Sequence, residues 1–138
     1  MGYKPENKKK LISKHLEIAQ ERLKTAEAAL NIGSYRDSIS RSYYAFLDAA
    51  TACLVTKDLV PQSHAGAIAL FGLHFVKTGI IESKYGRWFN KIERARLSAD
   101  YEHTKEFTRE EAEEALNEAK EFVSVIQNIL MELCNNEE

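Results

Sequence analysis

One arginine stands where a helical charge pattern has no place for it. Between residues 82 and 99 the apolar residues Tyr85, Trp88, Phe89, Ile92, Ala95 and Ala99 recur at helical spacing. At about 100° per residue, Arg96 falls among Tyr85, Phe89, Ile92 and Ala99, whereas Arg87, Lys91 and Arg94 project away. Asp100 lies one turn further on the same side. A desolvated guanidinium needs a partner, because an unpaired buried charge is very costly. Two readings stay open. One is a structural ion pair, to Asp100 or to another helix. The other is an arginine aimed at a phosphate from the end of a helix that borders a cleft. His103 follows Arg96 with six residues between, in a polar stretch of the kind that displays functional groups.

A second polar set lies on the preceding long helix. Asp37, Arg41, Tyr44 and Asp48 share an arc of about 60° on a helical projection, opposite the apolar face. Asp37 and Arg41 form an i,i+4 pair, worth a few tenths of a kcal/mol on an exposed helix. The face gains interest only if it meets the Arg96 helix or a second subunit. Of the other histidines, His15 sits at the edge of an apolar seam and His74 on a partly exposed helix face. His64 falls in the first turn of a short helix, on the side of Ile68 and Phe71, placed to cap it or to bond across to a neighbour.

Several chemistries find no footing. The Glu-x-x-His pairs of a di-metal bundle are absent, as are H-E-x-x-H, a glycine-rich phosphate loop and a G-x-S-x-G elbow. Asp100-x-x-His103 alone is too little for a metal site, so neither a metal nor another cofactor is expected. Glu110, Glu111, Glu113 and Glu114 open a helix, where they complement its dipole. Cys53 and Cys134 are too far apart in sequence for a C-x-x-C pair and read as small, at least half-buried thiols in a reducing compartment.

The positioning elements follow from composition and periodicity. The 138 residues suit one domain and include only two prolines and six glycines, too few breakers for a sandwich or barrel. Nineteen Lys and Arg against 21 Asp and Glu give a formal net charge of −2, which excludes bulk polybasic attraction to nucleic acid but not a local basic cleft. No apolar run reaches the roughly 18 residues that span a bilayer. The start, Met1-Gly2-Tyr3-Lys4-Pro5-Glu6, lacks a signal-peptide core. A soluble cytoplasmic protein without membrane contact is the expectation.

A first helix is expected on the seam Ile12, Leu16, Ala19, Leu23, Ala26 and Leu30, with Gly33 as its stop. A second should run from about Ser34 to Thr56 with Tyr35, Ile39, Tyr43, Phe46, Leu47, Ala50, Cys53 and Leu54 inward. After a loop through Pro61, a shorter one from about Ser63 to Lys77 should bury Ala67, Ile68, Phe71 and Phe75. A fourth spans about Glu82 to Ala99, followed by a polar connection from Asp100 to Phe107. The last opens with a Thr108–Glu111 capping box and carries the seam Ala112, Ala115, Leu116, Ala119, Phe122, Val123, Ile126, Leu130 and Leu133. No segment alternates with period two. The expected fold is all-α, an antiparallel up-and-down bundle of four long helices plus one shorter helix. The domain should occupy 9–134, between flexible ends at 1–8 and 135–138.

Several of these segments also resemble a known family. Tyr35-Arg36-Asp37-Ser38-Ile39-Ser40-Arg41-Ser42-Tyr43-Tyr44-Ala45-Phe46 resembles the second-helix signature of HEPN domains (higher eukaryotes and prokaryotes nucleotide-binding). His64-Ala65-Gly66, Phe75-Val76-Lys77-Thr78-Gly79 and Arg96-Leu97-Ser98-Ala99-Asp100-Tyr101 are similar to the small stand-alone branch found beside minimal nucleotidyltransferases. The likeness runs from about Lys9 to Leu130. It implies a helical bundle that forms a homodimer with a shared cleft. It also implies a toxin of a toxin–antitoxin pair acting as a metal-independent endoribonuclease, with Arg96 and His103 catalytic. Arg41, Tyr44, Asp37, Asp48, Asp100, Tyr101 and His64 are then candidates for nucleotide or RNA binding. A minimal nucleotidyltransferase is the implied antitoxin partner, and Tyr101 the tyrosine it would modify. The sequence departs from the active pattern at Leu97, where a polar residue is usual, and at Ala99-Asp100-Tyr101, where a closer histidine is common. The alternative is a non-catalytic module that binds a nucleotide or a partner.

Overall fold

The long helices start and stop where local chemistry dictates. A computed structural model describes residues 4–136, with side chains to residue 133. Of the ends expected to be flexible, 1–8 and 135–138, residues 1–3 and 137–138 lie outside it, as does the side chain of Cys134, whereas 5–8 and 135–136 are helical. Helix α1, Pro5–Asn31, begins earlier than its apolar seam required. A proline in the first helical turn presets φ without losing a needed donor, and Glu6 complements the dipole. Gly33 ends α1 at φ +80°. Its amide bonds back to the Leu30 carbonyl and that of Ser34 to Ala29, a Schellman closure.

Helix α2, Tyr35–Thr56, is the most enclosed element. Ala45, Ala49, Ala50 and Ala52 are fully buried, and these small side chains let α1 pack closely along it. The Ser38 hydroxyl reaches across to the Ala26 carbonyl at 2.8 Å. Asp58 takes the left-handed position after α2 at φ 58°, closing a second Schellman turn through Leu59 and Leu54. Lys8 pairs with Asp58 at 3.3 Å and so ties the start of α1 to this turn.

The short element departs from expectation. Helix α3 covers His64–Phe71 and passes into a π-helical turn over Gly72–Val76. There the Lys77 amide bonds the Gly72 carbonyl, five residues back, at 2.8 Å. The wider turn holds an extra residue while keeping both Phe71 and Phe75 buried. Ile68, expected inside, is only partly buried. Ser63 caps α3 by accepting the Gly66 amide at 2.9 Å.

Helix α4, Ser83–Tyr101, runs two residues past its expected end, so Asp100 and Tyr101 belong to its last turn and not to the connection. Helix α5, Arg109–Asn136, opens with the expected capping box. The Glu111 amide donates to Thr108 Oγ1 at 3.1 Å and the Thr108 amide to Glu111 Oε1 at 3.0 Å. The molecule is an all-α up-and-down bundle of four long helices and one short one, with no strand among the described residues. Its core is a run of stacked and edge-on rings. Phe46 lies 4.4 Å from Phe122 and 5.8 Å from Phe89, and Phe71 lies 5.5 Å from Phe122. No helix among the described residues is long and apolar enough to cross a membrane.

One side chain holds the end of α4 in place. Arg36, on α2, donates to the carbonyls of Ser98 (3.4 Å), Ala99, Glu102 (3.2 Å) and Lys105, and its guanidinium lies 5.3 Å from the Phe107 ring. The last carbonyls of a helix have no intrahelical donor, and Arg36 supplies one. Removing it as Arg36→Ala should lower stability by about 2 kcal/mol, the scale of hydrogen bonds from a charged donor. Amide exchange should accelerate most across residues 99–107. Exchange that rises evenly over the whole chain would contradict the clamp.

Candidate functional site

The misplaced arginine of the sequence is buried. Arg96 is 6% exposed and is held between three helices. Its Nη2 donates to Glu93 Oε1 at 2.7 Å and to His64 Nδ1 at 3.2 Å, and its Nη1 donates to Asp100 Oδ2 at 3.3 Å. The plane lies 4.8 Å from the centroid of the Tyr43 ring, a cation–π contact. Burial opposes its charge. The neighbouring Glu93, Asp100, Tyr43 and Tyr44 outweigh that and hold the guanidinium above its ordinary value. Asp100 in turn accepts from the Ser40 hydroxyl at 3.3 Å, which links α4 to α2.

Aromatic groups form the wall behind it. His64, from the first turn of α3, sits 5.6 Å from the Tyr43 ring and 6.0 Å from Tyr44. Burial, reinforced by Glu93, pushes the Tyr43 phenol well above its ordinary range, so it stays neutral. Three polar atoms here, Tyr43 Oη, Arg96 Nε and Glu93 Oε2, are buried without a hydrogen-bond partner among the described residues. Unpaired buried polar atoms are uncommon in folded proteins, and Glu93 and Arg96 are the neighbours that bear on the Tyr43 hydroxyl. An open groove between α3 and α4, lined by Ala65, Ile68, Ala69, Gly72, Asn90 and Glu93, brings solvent up to this cluster.

The remaining sequence candidates do not all converge on it. Tyr44 does, through His64. Asp48 turns the other way, towards α1, where it pairs with His15 Nδ1 at 3.2 Å and Arg22 Nε at 3.4 Å. The Arg22 guanidinium lies 5.4 Å from the Tyr44 ring, so this second cluster touches the first through one tyrosine. Asp37 is exposed and accepts from Ser34 Oγ at 2.8 Å, leaving Arg41 exposed without a side-chain partner among the described residues. His103 is exposed in the connection after α4 and is not among the partners of Arg96. Tyr101 is 70% and Leu97 42% exposed, one turn apart on the outer side of α4.

Helical projection missed three participants. Glu93 lies three residues before Arg96, a spacing that permits contact, but it reads as an ordinary surface acid. Tyr43 reads as core, and its hydroxyl leaves no trace in an apolar stripe. Arg36 reads as a solvent-facing charge.

The chain has relatives along most of its length. A family model for the HEPN domain matches residues 12–129. A protein of Methanocaldococcus jannaschii named "Putative toxin" is 45% identical over 118 residues, covering 86% of this chain and 87% of the relative. A second protein of that organism with the same description is 30% identical over 123 residues, 89% and 84% of the two chains. A "UPF0332 protein" of Thermotoga maritima is 29% identical over 126 residues, 91% and 96% of the two chains.

Two substitutions should separate the buried charge from the buried hydroxyl. Arg96→Ala leaves two carboxylates facing each other without their cation and should cost about 3 kcal/mol in denaturant unfolding. Tyr43→Phe removes an unpartnered polar atom and should be neutral or stabilising within about 1 kcal/mol. The phenol keeps its proton in the folded state, while the unfolded chain loses it above about pH 10. Stability should therefore fall as pH rises past that point, and less steeply in Tyr43→Phe. A Tyr43→Phe loss as large as that of Arg96→Ala would show that the hydroxyl is bonded after all.

Proposed function

The chain belongs to the HEPN domain family, and on that footing we propose that it is a HEPN-type toxin of a toxin–antitoxin pair that cuts cytoplasmic RNA without a metal. The observation that carries this reading is Arg96, the charged residue buried among the described side chains, set near the end of a helix beside tyrosines and an imidazole. An arginine so placed can stabilise the doubly charged phosphorane formed when a 2′-hydroxyl attacks its own phosphate. His103, seven residues further along the chain, supplies the proton to the departing 5′-oxygen as a general acid. It stands outside the cluster of its own protomer, which favours a site completed by a second copy at a shared cleft. The toxin names of the two M. jannaschii relatives support the class of activity.

Exposed Leu97 and Tyr101 give α4 an outward face for that second copy. They equally suit a minimal nucleotidyltransferase antitoxin, for which Tyr101 presents an accessible phenol. Tyr44 and Asp100 are the proposed contacts to RNA or nucleotide around Arg96, with Arg41 and Asp37 exposed on α2; Asp48, paired with His15 and Arg22 on the side of α1, is not among them. A second reading is favoured by one specific observation. Glu93 and Asp100 already occupy the Arg96 guanidinium, as they would in a module that binds a nucleotide or a partner without chemistry of its own.

Purified protein should be a dimer at micromolar concentration by light scattering, and it should cleave RNA in the presence of EDTA. Arg96→Ala and His103→Ala should each reduce cleavage by at least about 100-fold. Cleavage unchanged by either substitution would remove the enzyme assignment. A nucleotide-dependent rise in melting temperature with no cleavage would favour the binding module.

A further inference from the structure

The proton acceptor for such a reaction stands against Arg96 already. We propose that His64 is the general base of this site, released for work when a phosphodiester takes Arg96 from it. This rests on the reading that the chain cleaves RNA.

The geometry sets the state of the imidazole. An arginine can only donate, so in the 3.2 Å contact between Arg96 Nη2 and His64 Nδ1 the imidazole nitrogen is the acceptor. Nδ1 therefore presents its lone pair to Arg96. The charged and titratable groups around it are Arg96, with Glu93 and Asp100 behind, on α4, and Tyr43 and Tyr44 on α2. Arg96 is held charged and Tyr43 neutral, and both carboxylates are engaged by Arg96. Imidazole is the group here whose ordinary range lies near neutral pH. His64 is half-buried and lies on α3, beside the open groove.

The contact also works as an interlock. Without substrate, Arg96 covers the Nδ1 lone pair. A non-bridging phosphate oxygen is a stronger acceptor for a guanidinium than a neutral imidazole is, so an arriving phosphodiester draws Nη2 away and uncovers Nδ1 beside the phosphate. Nδ1 then takes the 2′-hydroxyl proton while the 2′-oxygen bonds to phosphorus. The bond from phosphorus to the 5′-oxygen breaks, and that oxygen takes its proton from the imidazolium of His103. The products are a 2′,3′-cyclic phosphate and a 5′-hydroxyl, and the two imidazoles return to their starting protonation through water.

His64→Asn separates this role from a structural one. The Asn side-chain oxygen can stand where Nδ1 stands and accept from Arg96, but it cannot carry the proton. In full-length protein, His64→Asn should keep its melting temperature and its affinity for an RNA blocked by 2′-deoxy substitution at the cleavage site. Its cleavage rate should fall by about 100-fold or more, and the limb of the pH–rate profile that rises from acid should disappear. His103→Ala should lose the opposite limb. Cleavage by His64→Asn within about threefold of the unsubstituted chain, with the acidic limb intact, would overturn the proposal and leave His64 as a structural acceptor for Arg96. If the unsubstituted chain cleaves no RNA, the ribonuclease reading fails and takes this proposal with it. That outcome is told apart by the first lane of the assay.

Discussion

A guanidinium enclosed in a helical bundle is the constraint around which the rest of this molecule is arranged. Removing a charge from water costs several kcal/mol even after the protein relaxes, so Arg96 can be tolerated only where compensating groups converge. Two carboxylates come from its own helix, one residue turn on either side. The third bond comes from an imidazole on α3, and the face of the guanidinium rests on a ring of α2. None of these groups is sufficient by itself. Three elements must meet at one point, and the sizes of the core side chains elsewhere are compatible with that meeting.

The scaffold meets that demand by two means. Along α2 the buried alanines bring α1 close, which leaves the phenylalanines to fill the wider space towards α4 and α5. The ring cluster sets the distance between α2 and α4 at the level of Phe89, two turns before Arg96. Beyond that point the core thins out, and polar contacts take over. Arg36 and Ser40, both on α2, hold the last turn of α4 from the outside through its carbonyls and through Asp100. The site thus lies at the junction between an apolar interior that fixes spacing and a polar end that fixes orientation.

How much of this was legible in the sequence depends on the range of each interaction. The Gly33 stop and the Thr108–Glu111 box are local rules and appear as read. Arg96 is legible because Tyr85, Phe89, Ile92 and Ala99 share its side of the helix, so its angle already implies burial. The Asp100 contact is one turn away and equally readable. His64 lies 32 residues from Arg96, and periodicity places it on a face without saying which helix that face meets. Asp48 illustrates the same limit in reverse. It shares an arc with Tyr44, yet α1 happens to lie on its side, and His15 and Arg22 turn it away from Arg96. The π-helical turn is hidden for another reason: it preserves the burial of Phe71 and Phe75, so the apolar pattern that would betray it is unchanged.

The carbonyl clamp has an electrostatic side as well. The dipoles of α4 sum to a partial negative charge at its C-terminal end, the end that carries Arg96, Asp100 and Tyr101. Left bare, that pole would add to the carboxylates and set up a repulsive potential towards any polyanion nearing the arginine. Arg36 lodges a full positive charge among those carbonyls and cancels the pole where it is strongest. The field at the mouth of the site is therefore set by a residue of a different helix that touches none of the groups around Arg96, and local neutrality there is compatible with a chain whose overall charge is slightly negative.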